Sequence, residues 1–383
     1  MQNLTPTDTL KPLNTRSILD AALDGNAISP AEALHLLQLT RENDLHRLRE
    51  TADALRKRQV KDTVTYRSGA SLYLTNLCEL EPALYPYPHK PGDAGAYTLS
   101  IDDIDACLER MSARQLQRIT LSAGGTWPYL QIPGLEAPNT LKTYAKVLRH
   151  IREKAPTLRI EGFSPDEVDF LCVLSDRHER YILEMMQDHG LNTLGGHGVE
   201  VLSNPVRQII SPKKASVKRW FEITEVAHRL ELTVIAKIEA GPVETLQQRI
   251  QHLNALRTFQ QMHADEQAKP FALFIPQMWI RPPAKPIQNL PGLAHCTHTD
   301  RLKLTAVTRL FLGEAIPDQG VCWVPNADRE IQDALQWGAS HIGATDALSY
   351  PVFLAGSRSL ELMSEADLQR LITETGRVPA IRN

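Results

Sequence analysis

Tyr73-Leu-Thr-Asn-Leu-Cys-Glu-Leu-Glu-Pro-Ala-Leu-Tyr-Pro-Tyr87 is the place where an apolar run, Leu72 to Leu77, empties into a loop that opens with Cys78. A short apolar run bounded by turn-forming residues reads as a buried strand. Outward from it, from Val64 onward, short apolar strands alternate with long amphipathic helices, the pattern of a parallel sheet. Strands are expected at Leu72–Leu77, Ile119–Ser122, Leu158–Gly162, Thr193–Leu194, Leu232–Glu239, Phe271–Ile275, Val321–Val324 and His341–Ile342. Helices are expected near 101–112, 138–154, 176–189, 215–230, 243–264, 301–313 and 328–337. This count favours an α/β fold, a closed (β/α)8 TIM-type barrel, over an open doubly wound sheet.

The barrel is expected to occupy residues 63–350. Residues 1–62 read as a loose tail followed by a helical extension, with helices at Ser17–Asp24, Pro30–Leu39 and Leu45–Gln59. Ser29-Pro-Ala-Glu32 has a capping serine, a proline in the first turn and a glutamate at the third helical position. Residues 351–383 read as a C-terminal helical tail. A net charge of −3 with scattered basic residues gives no footprint for nucleic acid. Lys213-Lys214 after Pro212 reads as a solvated helix start. The five cysteines (78, 107, 172, 296 and 322) contain no CxxC pair, which argues against both a disulfide framework and a zinc site. The polar N-terminus lacks an apolar signal region, and no segment approaches ~18 consecutive apolar residues, so a cytoplasmic protein without membrane contact is expected.

In a barrel of this kind, chemistry sits at the C-terminal strand ends. Lys237 and Glu239 lie two apart on one strand and so share a face. On the helix-packed side they would be buried unpaired, so the lumen is their expected direction and acid–base chemistry their candidate role. His197, flanked by glycines in Leu194-Gly-Gly-His-Gly198, is a third acid–base candidate.

Several of these strand ends carry motifs. They include Thr75-Asn-Leu-Cys78, Gly124-Gly125, Gly162-Phe-Ser-Pro165 and Gly195-Gly-His-Gly-Val-Glu200, followed by Val206-Arg207 and Pro212. Farther on come Gly241-Pro-Val-Glu-Thr245, Phe274-Ile-Pro276 and Gly338-Ala-Ser-His-Ile-Gly-Ala-Thr345. In them the chain, from about Ser17 to Thr345, resembles the radical S-adenosylmethionine (SAM) barrels of the deazaflavin (FO) synthase and aminofutalosine synthase group. The resemblance implies SAM, or a molecule of its shape, near Gly124, Gly125, Glu161, Glu200 and Arg207. In that group three loop cysteines hold a four-iron cluster, but here the second and third positions are Pro82 and Tyr85. Neither is a suitable ligand. The expectation is therefore no iron–sulfur cluster, and polar chemistry on SAM or a small-molecule substrate, such as methyl or alkyl transfer or elimination. One alternative is a non-catalytic partner or regulator of an active homologue. The other is a radical SAM enzyme with cluster ligands elsewhere. A homodimer, or pairing with an active paralogue, fits either.

Overall fold

The computed structural model describes residues 13–67, 69–80, 82–83, 89–122, 127–241, 243–263, 271–278, 296–322, 328–343 and 364–382. A single residue separates β1 (Thr63–Arg67) from β2 (Gly69–Tyr73), and these two strands serve different sheets. A six-stranded parallel sheet starts at β2. It continues through β3 (Arg118–Ser122), β4 (Arg159–Gly162), β5 (Leu191–Leu194), β6 (Thr233–Ala240) and β7 (Phe271–Met278). In the second sheet β1 lies between β10 (Val378–Ile381) and β9 (His341–Gly343), and β9 pairs with β8 (Gly320–Cys322). A bridge from Phe274 to Gln319, immediately before β8, joins the two sheets. With β1 and β2 counted as one stave, the parallel ring closes as a (β/α)8 barrel.

The helices that follow the strands are α4 (Ile101–Ala113), α5 (Thr140–Lys154), α6 (Pro165–Ser175), α7 (Glu179–Asp188), α8 (Asn204–Ile210), α9 (Val217–Arg229), α10 (Leu246–Met262), α11 (His298–Leu312) and α12 (Asp328–Gln336). Their starts are written in the sequence. Ser100, Ser164, Thr245 and Thr297 each accept from the third helical N–H while that residue's side chain accepts from the cap's own N–H. Strand β6 shows the two faces of the wall. Val234, Ala236, Ile238 and Ala240 join the large core under the helices. Ile235 instead packs inside, in a small separate cluster with Leu273 and Ile275.

The lead-in folds as α1 (Thr15–Leu23), α2 (Pro30–Leu37) and α3 (Glu42–Val60). It packs against α10 and α11 on the flank of the barrel. Buried Arg309 of α11 stitches this flank together, donating to Gly338 O at 2.8 Å, Gln59 Oε1 at 2.7 Å and Ser340 Oγ at 3.1 Å.

The structure differs from the sequence expectations in four places. The first strand covers Gly69–Tyr73 rather than Leu72–Leu77, because Leu74 is buried as the chain turns into the Thr75–Cys78 loop. Helix α6 fills a gap before the expected 176–189 helix. Asp176, at φ +51, breaks the chain between α6 and α7. Helix α8 lies outside the expected helices. The C-terminal segment holds α13 (Glu365–Glu374), but its end is the strand β10 rather than more helix. Pro379 sits on that edge strand, one of the few sheet positions where a missing N–H is tolerated.

Candidate functional site

The loop after β2 is organised by Asn76. Its side-chain NH2 donates to Gly95 O at 2.9 Å, and its Oδ1 accepts from Tyr97 N–H at 2.8 Å. Thr75 Oγ1 donates to Tyr97 O at 2.7 Å and accepts from Leu77 N–H at 3.1 Å. The loop thus holds the buried Cys78 over the barrel, with its N–H directed at His89 O, 3.3 Å away. Tyr85, Gly124 and Gly125 lie outside the described residues.

The expected direction of Lys237 and Glu239 is met. They share the inner face with Ile235, while Ala236 and Ile238 face the helices. Glu239 is buried and its Oε2 accepts from Glu200 N–H at 3.4 Å, while its own N–H donates to Glu200 O at 2.8 Å. Lys237 stands beside the Gly195-Gly196 turn. A Cβ on Gly196 would lie 3.1 Å from Lys237 Cγ and would collide with Ile235 O. Because a backbone carbonyl cannot easily retreat, Gly196→Ala should cost ~1–3 kcal/mol by overpacking. Urea unfolding of that variant beside the wild type measures the cost.

His197 reaches back to the buried Glu167, Nε2 to Oε2 at 2.8 Å. The same oxygen accepts from Ser164 N–H at 2.7 Å, so the capping box of α6 also orients the histidine. Two tyrosines that sequence reasoning did not single out complete this region. Burial, then the carboxylates of Glu239 and Glu167, push the Tyr73 phenol up to about 12. Burial, then Glu167 and Cys78, likewise raise Tyr144 on α5, whose hydroxyl has no partner among the described residues. Tyr73, Tyr144, Glu167, His197 and Glu239 therefore form one electrostatic neighbourhood at the strand ends, with both phenols protonated at neutral pH.

Glu200 and Arg207 lie beside this region in a closed network. Arg207 donates through Nε to Ala215 O at 2.9 Å, through NH1 to Val199 O at 3.0 Å and through NH2 to Asp166. Glu200 is held by Lys214, and Ser211 Oγ donates to it at 3.3 Å. Burial pushes the carboxyls of Asp166 and Glu200 upward, opposed by the neighbouring cations. All three Arg207 nitrogens thus have protein acceptors. Lys214, expected to be solvated, is instead Glu200's buried counter-ion. Glu161 sits lower in the lumen, between Arg67 and Arg118, and is not brought together with Glu200.

No known protein-family model matches the chain. Relatives do. A 5-amino-6-(D-ribitylamino)uracil–L-tyrosine 4-hydroxyphenyl transferase of Trichormus variabilis is 33% identical over 363 residues, covering 94% of this chain and 91% of that protein. Proteins of the same name from Trichodesmium erythraeum and Methanoculleus marisnigri are 32% and 30% identical, each covering 95% of the relative and 95% and 96% of this chain. Among solved structures, the [FeFe]-hydrogenase maturase HydG matches with a TM-score of 0.69 at 16% identity, over 96% of this chain and 75% of that one. Methylornithine synthase PylB matches with a TM-score of 0.67 at 14% identity, over 95% of this chain and 97% of that one. At those identities the two structures support the fold.

These findings correct one expectation. The relatives and fold neighbours are of the radical SAM type, proteins that normally bind an iron–sulfur cluster and SAM, so the expectation of no iron–sulfur cluster is overturned. The described residues nevertheless do not fit a three-thiolate site. Pro82 has no ligating atom, Cys78 is a single buried thiol, and no three His, Cys, Asp or Glu side chains gather among the described residues as metal ligands. No helix among the described residues is long and apolar enough to cross a membrane. By near-full-length identity, the chain belongs to the 5-amino-6-(D-ribitylamino)uracil–L-tyrosine 4-hydroxyphenyl transferase family.

Proposed function

We propose that the protein is a transferase acting on a ribityl-aminouracil and an aromatic amino acid at the barrel mouth, with SAM or a nucleoside of its shape as cofactor. The observation that carries this reading is the alignment with named transferases over 94% of the chain and 91% of the relative. Lys237, Glu239 and His197 are the groups proposed to hold or move protons there. An imidazole whose Nε2–H donates to Glu167 keeps Nδ1 as an acceptor, the form suited to a base. The protonated phenol of Tyr73 beside Glu239 is suited to donate a hydrogen bond to a ribityl hydroxyl or a uracil carbonyl. Gly124-Gly125 is proposed to lie against the cofactor, where the lack of a Cβ permits close approach.

The test is mass-spectrometric detection of a joined product from 5-amino-6-(D-ribitylamino)uracil and L-tyrosine in the presence of SAM and a one-electron reductant, with wild type and Lys237→Met side by side. The wild type should form product. Lys237→Met should abolish turnover while melting within a few degrees of the wild type, because methionine fills a similar volume. A large fall in melting temperature, with activity retained in the folded fraction, would make Lys237 a structural residue. Pro82 favours a second reading, in which the chain holds the same substrates as a partner of an active homologue. Substrate binding without product, restored to turnover on adding that homologue, would support it.

A further inference from the structure

Below the mouth the lumen becomes basic. Thr65 and Arg67 share the inner face of β1, opposite Val64 and Tyr66, which pack in the outer core. Arg67 and Arg118 both reach a single oxygen, each NH1 lying 3.4 Å from Glu161 Oε2. Arg382, just beyond β10, comes into the same electrostatic neighbourhood, donating to Ala272 O at 2.6 Å and to Asp318 at 2.7 Å. His341 of β9 completes the group, its Nδ1 2.8 Å from Thr65 Oγ1.

Among the described residues, Arg67, Arg118 and Arg382 meet only Glu161 and Asp318 here, and Arg159 adds to the same field, so positive charge is in excess. Arg67 and Arg118 are only 7% and 6% exposed, so water does little to screen it. Burial lowers Arg67 to about 10 and lowers Arg118 as well, yet both stay protonated at neutral pH. Burial, reinforced by the three arginines, holds His341 well below its usual range and therefore neutral. Two buried donors or acceptors, Arg67 Nε and His341 Nε2, have no partner among the described residues. Buried polar atoms are ordinarily satisfied, and a buried charge without its counter-ion is strongly unfavourable. Two forked guanidinium groups sharing one carboxylate oxygen at long range have most of their N–H donors without a protein acceptor among the described residues.

We propose that Arg67, Arg118 and His341 bind one small oxyanion, a carboxylate or a phosphate, in the lumen beneath the reaction site. The guanidinium fork matches the spacing of two such oxygens, and the anion's negative charge offsets the excess of positive charge. This site does not depend on the reading of the protein as a transferase.

The experiment is the melting temperature of the full chain against inorganic phosphate and, separately, against acetate, at fixed ionic strength set with a bulky sulfonate salt. A ligand that binds only the folded state raises the melting temperature in a saturable way. At least one of the two anions should do so for the wild type, and which one does identifies the oxyanion. Arg67→Met should lose the dependence. Glu161→Gln keeps both guanidinium groups and removes the competing carboxylate, so it should saturate at an anion concentration about tenfold lower. That second variant keeps the test decisive if Arg67→Met does not fold. A wild-type melting temperature indifferent to both anions, or the same rise in the wild type and both variants, would overturn the proposal.

Discussion

Arg207→Met is expected to lower stability by ~3–5 kcal/mol, because it strands buried carboxylates while leaving the packed volume almost unchanged. The arginine stem runs through a buried site, 2% exposed, and its head joins Asp166 on α6 to the carbonyls of Val199 and Ala215. Without it, Asp166 has no side-chain partner left among the described residues, and Glu200 keeps Lys214 as its one cation there. Chemical denaturation of the variant gives the cost directly. A loss below 1 kcal/mol would mean that water or a ligand, rather than Arg207, satisfies these carboxylates.

The barrel was readable because its wall obeys a period of two. Ala236 and Ile238 outward, with Ile235, Lys237 and Glu239 inward, follow from alternation alone. Helix starts were readable where a capping box is spelled out, as at Ser29 and Glu32. The buried network was not. Asp166 follows β4, whereas Glu200, Arg207 and Lys214 all follow β5, and sequence spacing does not encode which charge meets which. The basic pair Lys213-Lys214 carries no mark that one lysine is buried. Nor does β10 announce itself, since a short proline-containing segment reads as a strand only once β1 lies beside it. Tyr73 could have been found, because it is an inward residue at the end of the strand that leads to Cys78.

Acid should destabilise the protein steeply between pH 6.5 and 5. His228 is packed against Phe259 and Phe271, at 5.7 and 4.9 Å between ring centroids, and burial lowers it to about 4. His252, fully buried with Nδ1 accepting from Leu202 N–H at 2.9 Å, is lowered by burial to about 3. A group depressed in the folded state contributes stability above its unfolded value, and that contribution is lost as pH falls toward the folded value. With unfolded histidine near 6.5, each of the two should cost ~2 kcal/mol at pH 5, or ~4 kcal/mol together. Replacing His228 with phenylalanine removes one of these proton uptakes. The difference in stability between pH 7 and pH 5 should therefore shrink by ~2 kcal/mol in that variant. Equal losses in the variant and the wild type would mean that His228 can take a proton in place.

The central claim, that the mouth is built for a ribityl-aminouracil, is tested most directly by isothermal titration of the wild type with 5-amino-6-(D-ribitylamino)uracil, using uracil as the control. The account predicts saturable binding of one ribityl-aminouracil per chain, and affinity for uracil weaker by at least about tenfold, because the ribityl hydroxyls lose their partners. A folded protein that binds neither compound, or both equally, would contradict it.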